Sequence, residues 1–474
     1  MGKPLRSKLG NIFEVSETTG RIVPMEGLRG AAVLLVFFVH FNEGFKAYAR
    51  PGSITAMLLD ALAKIGHSGV DLFFVISGYL IYGALIRKRE FSYFPFVRRR
   101  ATRIYPTFLA VLGVYLALSV LLPQQSRFPQ GVSASMVYLG QNLLLLPGLF
   151  SIMPIMTVSW SLSFEFFFYL TLPILLFLAR MRLLSVKIRL FFWCGIAVVY
   201  VVTCGIFYTG TRPLTMIGGA FNLRLVMFVS GIVCYELLNN TRLKGRLGSG
   251  VECLVALALV CTLVLVCLIR QQHISGNLFP GIVRVPMLYE IGLLWPTFSM
   301  LILLAFGRPG FLANIFSFTP LRWLGNMSYS YYLVHGITIN AAAFVLSLLV
   351  SPAADSDLLI WAMGPVVFAA TLTTSAILFI LVEKRFSLGN TGAGSRRTPG
   401  GQAAVVTAPH PVLVYAVEPV ADNSNPFSAI RPQSLTISAS TPLPLFGARF
   451  SMRGEIPDDP HPIFSIPYGG RGRL

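Results

Sequence analysis

Charge is scarce in this chain: Asp, Glu, Lys and Arg make up 12% of its 474 residues, against 55% hydrophobic residues. A soluble protein needs roughly 25% charged residues to cover its surface. The shortage therefore excludes a soluble globular class and points to lipid as the solvent. Acidic residues are the scarcest, 19 against 38 Lys and Arg, which leaves a formal charge of +19. Such a balance can mark a nucleic-acid binder, but here the basic residues sit in short runs between apolar segments. They read as topology signals, and no nucleic-acid partner is expected. The six cysteines (Cys194, Cys204, Cys234, Cys253, Cys261 and Cys267) include no CxxC pair, which argues against metal and redox motifs. They are expected to be small buried hydrophobes, and no metal site is expected. The first 30 residues hold no uninterrupted apolar core, so a cleavable signal peptide is not expected.

What the chain does have is long apolar runs. A helix needs about 20 mostly apolar residues to cross the hydrocarbon. Ten candidates follow: 27–47, 69–86, 104–122, 158–179, 190–208, 214–238, 251–269, 286–306, 325–350 and 358–383. A further stretch at 143–153 is too short and carries Pro147 and Gly148, which predicts an interfacial or re-entrant piece. With the N-terminus inside, the inner segments hold 25 Lys and Arg and the outer ones 8, as the positive-inside rule requires. An eleventh span would put the later basic loops outside. The expected fold is an all-α polytopic integral membrane protein of about ten transmembrane helices over residues 1–385. Residues 386–474, rich in Pro, Ser, Gly, Thr and Ala, are expected to be a disordered cytoplasmic tail. The lipid bilayer of the inner (plasma) membrane is the expected setting, with both termini cytoplasmic.

Several ionisable residues fall inside these spans, where they are expensive and mark function. Arg29 and His40 are eleven residues apart, so at about 100° per residue they share a helix face, roughly 16 Å apart along the axis. The plainer alternative is a snorkelling Arg and a structural His. In the run Phe96-Val-Arg-Arg-Arg-Ala-Thr-Arg-Ile-Tyr-Pro106, Arg100 and Arg103 share a face, and Pro106 is placed where a first-turn proline is tolerated. Guanidinium groups grip phosphate bidentately, so this cluster suits a phosphorylated donor; positive-inside anchoring accounts for Arg98 and Arg99. Glu165, in Val158-Ser-Trp-Ser-Leu-Ser-Phe-Glu165, is expected near the depth of His40, either orienting its imidazole or carrying a proton. His335 is expected near the midplane. Arg224 and Glu290 also fall within spans.

In order along the chain, these segments resemble the acyltransferase-3 family of membrane O-acyltransferases. The matching stretches are Met25-Glu-Gly-Leu-Arg-Gly30 leading to His40, and Gly69-Val-Asp-Leu-Phe-Phe-Val-Ile-Ser-Gly-Tyr-Leu80, which includes Asp71. The others are Arg99-Arg-Ala-Thr-Arg-Ile-Tyr-Pro106, Ser159-Trp-Ser-Leu-Ser-Phe-Glu165, and Leu324-Gly-Asn-Met-Ser-Tyr-Ser through His335. The resemblance spans residues 20 to about 385. It implies that Arg29 and His40 are the family's Arg-x10-His pair with His40 catalytic, that Arg100 and Arg103 are its RxxR motif at the donor site, and that Glu165 is its WSLxxE carboxylate. Asp71 and His335 are further candidates. Two departures stand out: Glu26 replaces the usual Asp, and Val-Glu383-Lys-Arg385 replaces Val-Glu-Arg-Pro.

The resemblance implies an O-acyltransferase with no permanently bound cofactor. Acyl-CoA, most simply acetyl-CoA, is the expected co-substrate, and a hydroxyl of a glycan or glycoside the expected acceptor. His40 would act as general base or through a transient acyl-imidazole. The competing class is a proton-coupled transporter using the intramembrane His and Glu residues as a relay; the chain shows no internal repeat of the kind many carriers have.

Overall fold

The computed structural model describes residues 10, 12–14, 22–88, 92–150, 152–209, 222–239, 249–271, 286–351 and 356–388. Among these residues the chain is helical without strands. Nine helical stretches are long and apolar enough to cross a bilayer. They match nine of the ten expected spans. The remaining one, 214–238, begins in residues outside the described set, and only its second half is seen, as the helix Val226–Leu238. The expected tail begins at 386, but the last helix runs on to Leu388; residues 389–474 lie outside the described residues.

Fourteen α-helices carry the fold among the described residues. They are α1 (Val23–Phe45), α2 (Ile54–Gly66), α3 (Ser68–Ile86), α4 (Tyr93–Leu121), α5 (Val132–Leu143), α6 (Ser159–Leu178) and α7 (Val186–Thr209). They continue with α8 (Val226–Leu238), α9 (Ser249–Arg270), α10 (Pro286–Gly307), α11 (Phe311–Phe316), α12 (Thr319–Asn326), α13 (Ser328–Leu349) and α14 (Asp357–Leu378). A π-helical segment, Phe379–Leu388, extends α14.

Helix α1 is the hub, packed against α2, α3, α11, α12 and α13. It has two apolar stripes, each stepping by four residues. Leu28, Ala32 and Val36 enter one core with α3, α6, α8 and α10. Val33, Phe37, Phe41 and Phe45 enter a second with α13 and α14. At about 100° per residue, the direction of Arg29 and His40 falls in the seam between the stripes. The sequence thus aims both polar side chains between two hydrophobic cores, where three more helices converge.

Helix α3 is fixed against α8 by a reciprocal pair of small residues. A Cβ on Gly78 would strike the Phe228 carbonyl, and one on Gly231 the Val75 carbonyl. Small residues let helix backbones approach closely within a bilayer, and here that approach sets the rotation of α3 and the place of Ser77. Gly231→Val is expected to cost about 3 kcal/mol or more by overpacking against backbone. Thermal unfolding of the purified protein checks this; a midpoint equal to wild type would contradict it.

Helix α4 begins eleven residues before the span at 104–122. The arginine run is therefore part of the helix, and Pro106 lies inside it rather than in its first turn. Hydropathy registers only the portion in hydrocarbon, whereas the helix continues through its basic end. Arg98 and Arg99 are exposed, while Arg100 and Arg103 turn inward. The segment 143–153 does not cross. After α5 it turns back on the start of α6: Gly148 N–H donates to Ser163 Oγ (3.2 Å), and Asn142 Oδ1 accepts from Ile155 N–H (2.9 Å).

Candidate active site

Helices α1, α3, α4, α6 and α13 enclose a cavity of about 330 Å³. At its basic end stand Arg29, Arg100 and Arg103. Its walls are mostly apolar, from α3 (Phe73, Phe74, Ile76, Leu80) and α6 (Leu162), with Glu165, Ser77, Ser161 and Tyr332 as polar groups. This mixture is what small-molecule sites commonly present.

The three cavity arginines differ from the other buried ones. Arg189 meets Glu236 (2.6 Å), Arg224 meets Asp71 (2.6 Å), Arg270 meets Glu290 (2.7 Å) and Arg322 meets Glu26 (3.2 Å). Among the described residues, no such ion pair within 4 Å engages Arg29, Arg100 or Arg103. Arg100 lies 5.4 Å over Phe96 and 5.8 Å over Tyr169, and its Nε–H is buried without a hydrogen-bond partner among the described residues. A buried guanidinium donor without an acceptor is costly, as at Arg100, and the three guanidiniums converge on one end of the cavity. Glu165 and Glu383 are within electrostatic reach of the cluster. Glu383, held by the π-helical segment, accepts from the Ser330 backbone N–H (3.1 Å) and hydroxyl (2.6 Å).

Glu165 is not the partner of His40. Its Oε1 accepts from Ser77 (2.7 Å) and Tyr169 (2.5 Å), which fixes it in the cavity wall. The carboxylate that meets His40 is Glu43, whose Oε2 lies 2.7 Å from Nδ1. Chain position gives Glu165 a depth level with His40 but not the direction in which each helix faces. Glu43, three residues on from His40, was in reach of the spacing rule for helices but reads in the sequence as a charge at the end of a span.

His40 itself lies beyond the cavity, with 20% of its side chain exposed. The route between them is aromatic. Tyr332, in the cavity wall, donates to the Val158 carbonyl (2.6 Å) and meets Ser161 Oγ at 2.5 Å. Its ring is 5.9 Å from that of His335, which is 5.0 Å from that of His40. The structure therefore brings Arg29, Arg100, Arg103 and Glu165 into one cavity, and His40 and His335 into a pair at its far side. Asp71 belongs to neither, because its ion pair with Arg224 ties α3 to the entry of α8. Arg224 and Glu290 are likewise engaged in helix-joining ion pairs. Ser77, Tyr169 and Tyr332 are the cavity residues that hydropathy and charge did not mark, since hydroxyls inside apolar runs give no signal of the face they occupy. Glu26, the departure from the usual Asp, is in contact with Arg322 and Asn326 outside the cavity.

Nine apolar helices long enough to cross a bilayer among the described residues, and an internal cavity where five helices converge on three arginines, define a multi-pass membrane protein. The chain belongs to the acyltransferase-3 family, a family of acyl-transferring enzymes: the family's model, described as an acyltransferase domain, matches residues 23–381. It is 28% identical over 342 residues to the peptidoglycan O-acetyltransferase OatA of Listeria monocytogenes, covering 68% of this chain and 50% of that one. It is 30% identical over 243 residues to the acyltransferase MdmB of Streptomyces mycarofaciens (48% and 59%). It is 28% identical over 298 residues to the exopolysaccharide production protein ExoZ of Rhizobium meliloti (60% and 83%). The chain spans about half the length of the first of these relatives. No solved structure matches it. The family membership gives no support to the transporter alternative.

Proposed function

We propose that this protein transfers an acyl group, most simply acetyl, from acyl-CoA to a hydroxyl of a glycan or other sugar-containing acceptor. The observation that carries this reading is the trio of guanidiniums in one cavity that hold no ion pair among the described residues; the charge bias of the sequence supports a cytoplasmic side for them. They would hold the donor's phosphates through charge-assisted, bidentate bonds. Its pantetheine arm would follow the apolar wall past Glu165 and Ser161, and displacing Tyr332 would bring the thioester to His40. OatA is named for O-acetylation of peptidoglycan and ExoZ for exopolysaccharide production, which supports a glycan acceptor here.

His40 supplies the base. The Glu43 carboxylate only accepts, so His40 Nδ1 carries the hydrogen and Nε2 is left as the proton acceptor. The acceptor hydroxyl gives its proton to Nε2 as its oxygen bonds to the thioester carbon. The carbon–sulfur bond then breaks, the proton passes from Nε2 to sulfur, and the products are the ester and free CoA thiol. Glu43 stabilises the transient imidazolium. Because Glu43 is 62% exposed, solvent screens that effect. Glu43→Gln is expected to lower kcat about two- to fivefold with the KM for donor unchanged. Steady-state kinetics checks this, and an unchanged kcat would remove Glu43 from the site.

The direct test of the function uses purified protein, [14C]acetyl-CoA and extracted envelope glycans. Alkali-labile label on the glycan is expected. No label, together with no consumption of acetyl-CoA, would overturn the proposal.

A further inference from the structure

His335 is fully buried, and its Nδ1 lies 2.9 Å from the Tyr331 carbonyl. A carbonyl oxygen only accepts, so Nδ1 carries the hydrogen and Nε2 presents a bare lone pair. Among the described residues Nε2 has no hydrogen-bond partner. An unmet acceptor of this kind costs about 1–3 kcal/mol, and buried polar atoms in native proteins are seldom left so without a role. The ring is held in place by a parallel Tyr331 ring (5.4 Å, 13°) and by Tyr332, and its other neighbour is His40 at 5.0 Å. The lone pair is thus held on a ring fixed beside the proposed base.

His335 is poorly placed to be a second base. An imidazolium there would be buried, adjacent to His40 and, among the described residues, without a carboxylate in contact, while the Glu43 carboxylate serves His40. The attacking hydroxyl has a single proton, and His40 takes it. The His335 lone pair therefore calls for a different donor group on the same substrate.

We propose that His335 Nε2 accepts a hydrogen bond from a second hydroxyl or amide N–H of the acceptor, adjacent to the hydroxyl that is acylated. This rests on the acyl-transfer reading above and narrows its substrate class to polyols and 2-acetamido sugars, against simple alcohols and water. Two imidazoles 5.0 Å apart suit neighbouring substituents of one sugar ring. An acceptor lacking the second donor leaves Nε2 unmet and loses binding in the transition state.

The test compares two probes, trans-cyclohexane-1,2-diol and cyclohexanol, as acceptors of [14C]acetyl from acetyl-CoA with the full-length purified protein. Wild type is expected to favour the diol in kcat/KM by about 10- to 100-fold. His335→Phe should reduce this to the statistical preference for two hydroxyls over one. His335→Gln, which offers an amide oxygen, should restore part of it. The KM for acetyl-CoA should stay constant throughout. Equal use of both alcohols by wild type overturns the inference without any variant, and so does a diol preference that survives in folded His335→Phe. A rise in acetyl-CoA KM in that variant with the diol preference intact would assign the lone pair to a pantetheine amide instead, and also overturns it. Wild type that acetylates glycans but does not discriminate the probes sinks this inference alone. Wild type that acetylates nothing sinks the acyl-transfer reading with it.

Discussion

His40→Ala is expected to abolish acyl transfer, by about 10³-fold or more, while leaving a folded, membrane-inserted protein. The size of the effect follows from the general base, which contributes about 10²- to 10⁴-fold in well-placed sites, and no neighbouring group can replace it. Glu43 lies on the Nδ1 side of the ring, and His335 has no ion-pair partner among the described residues. Folding should survive because His40 lies in the polar seam of α1 rather than in either apolar stripe. Its loss removes an exposed ion contact and one ring contact, worth about 1 kcal/mol or less. Label transfer measured beside thermal unfolding separates chemistry from stability. Full activity in a folded His40→Ala protein would end the mechanism.

The second large effect belongs to the arginines. Each guanidinium–phosphate contact is charge-assisted and worth about 1.5–3 kcal/mol. Arg100→Ala combined with Arg103→Ala should therefore raise the KM for acetyl-CoA about 10²- to 10⁴-fold, with kcat at saturation changed far less. The bond energy is spent on a remote part of the donor, so it appears in binding. Arg103→Lys should recover only part of the loss, since an ammonium lacks the planar fork. Stability is not expected to fall much, because neither side chain holds an ion pair among the described residues. Donor titration of the double variant checks this. A KM within threefold of wild type would remove the pair from the donor site.

The spans were legible because hydrocarbon imposes both a length and a composition, and nine of them appear among the described residues. The Arg29 and His40 face was legible for the same reason that helix periodicity is: eleven residues return nearly to the same direction. Three features escaped. The early start of α4 was hidden because its basic turns lie outside hydrocarbon and carry no hydropathy signal. The helix Ile54–Gly66 precedes α3 with only His67 between them, so a single apolar window does not separate the two. The ion pairs escaped because their partners are far apart in sequence: Asp71 and Arg224, or Arg189 and Glu236, meet only once the helices pack. Glu165 shows the limit most clearly. Its depth was readable from chain position, but its azimuth depends on how α6 packs against α3 and α4, and that turned it toward Ser77 and the arginines instead of His40.

One imidazole is expected to join a donor from the basic side to an acceptor from the other. Inside-out sealed vesicles test it most directly: extracted envelope glycan is trapped in the lumen, and membrane-impermeant [14C]acetyl-CoA is added only outside, at the cytoplasmic face. The expected result is alkali-labile label on the trapped glycan with wild type and none with His40→Ala. Label appearing only when donor and glycan share one compartment would contradict it.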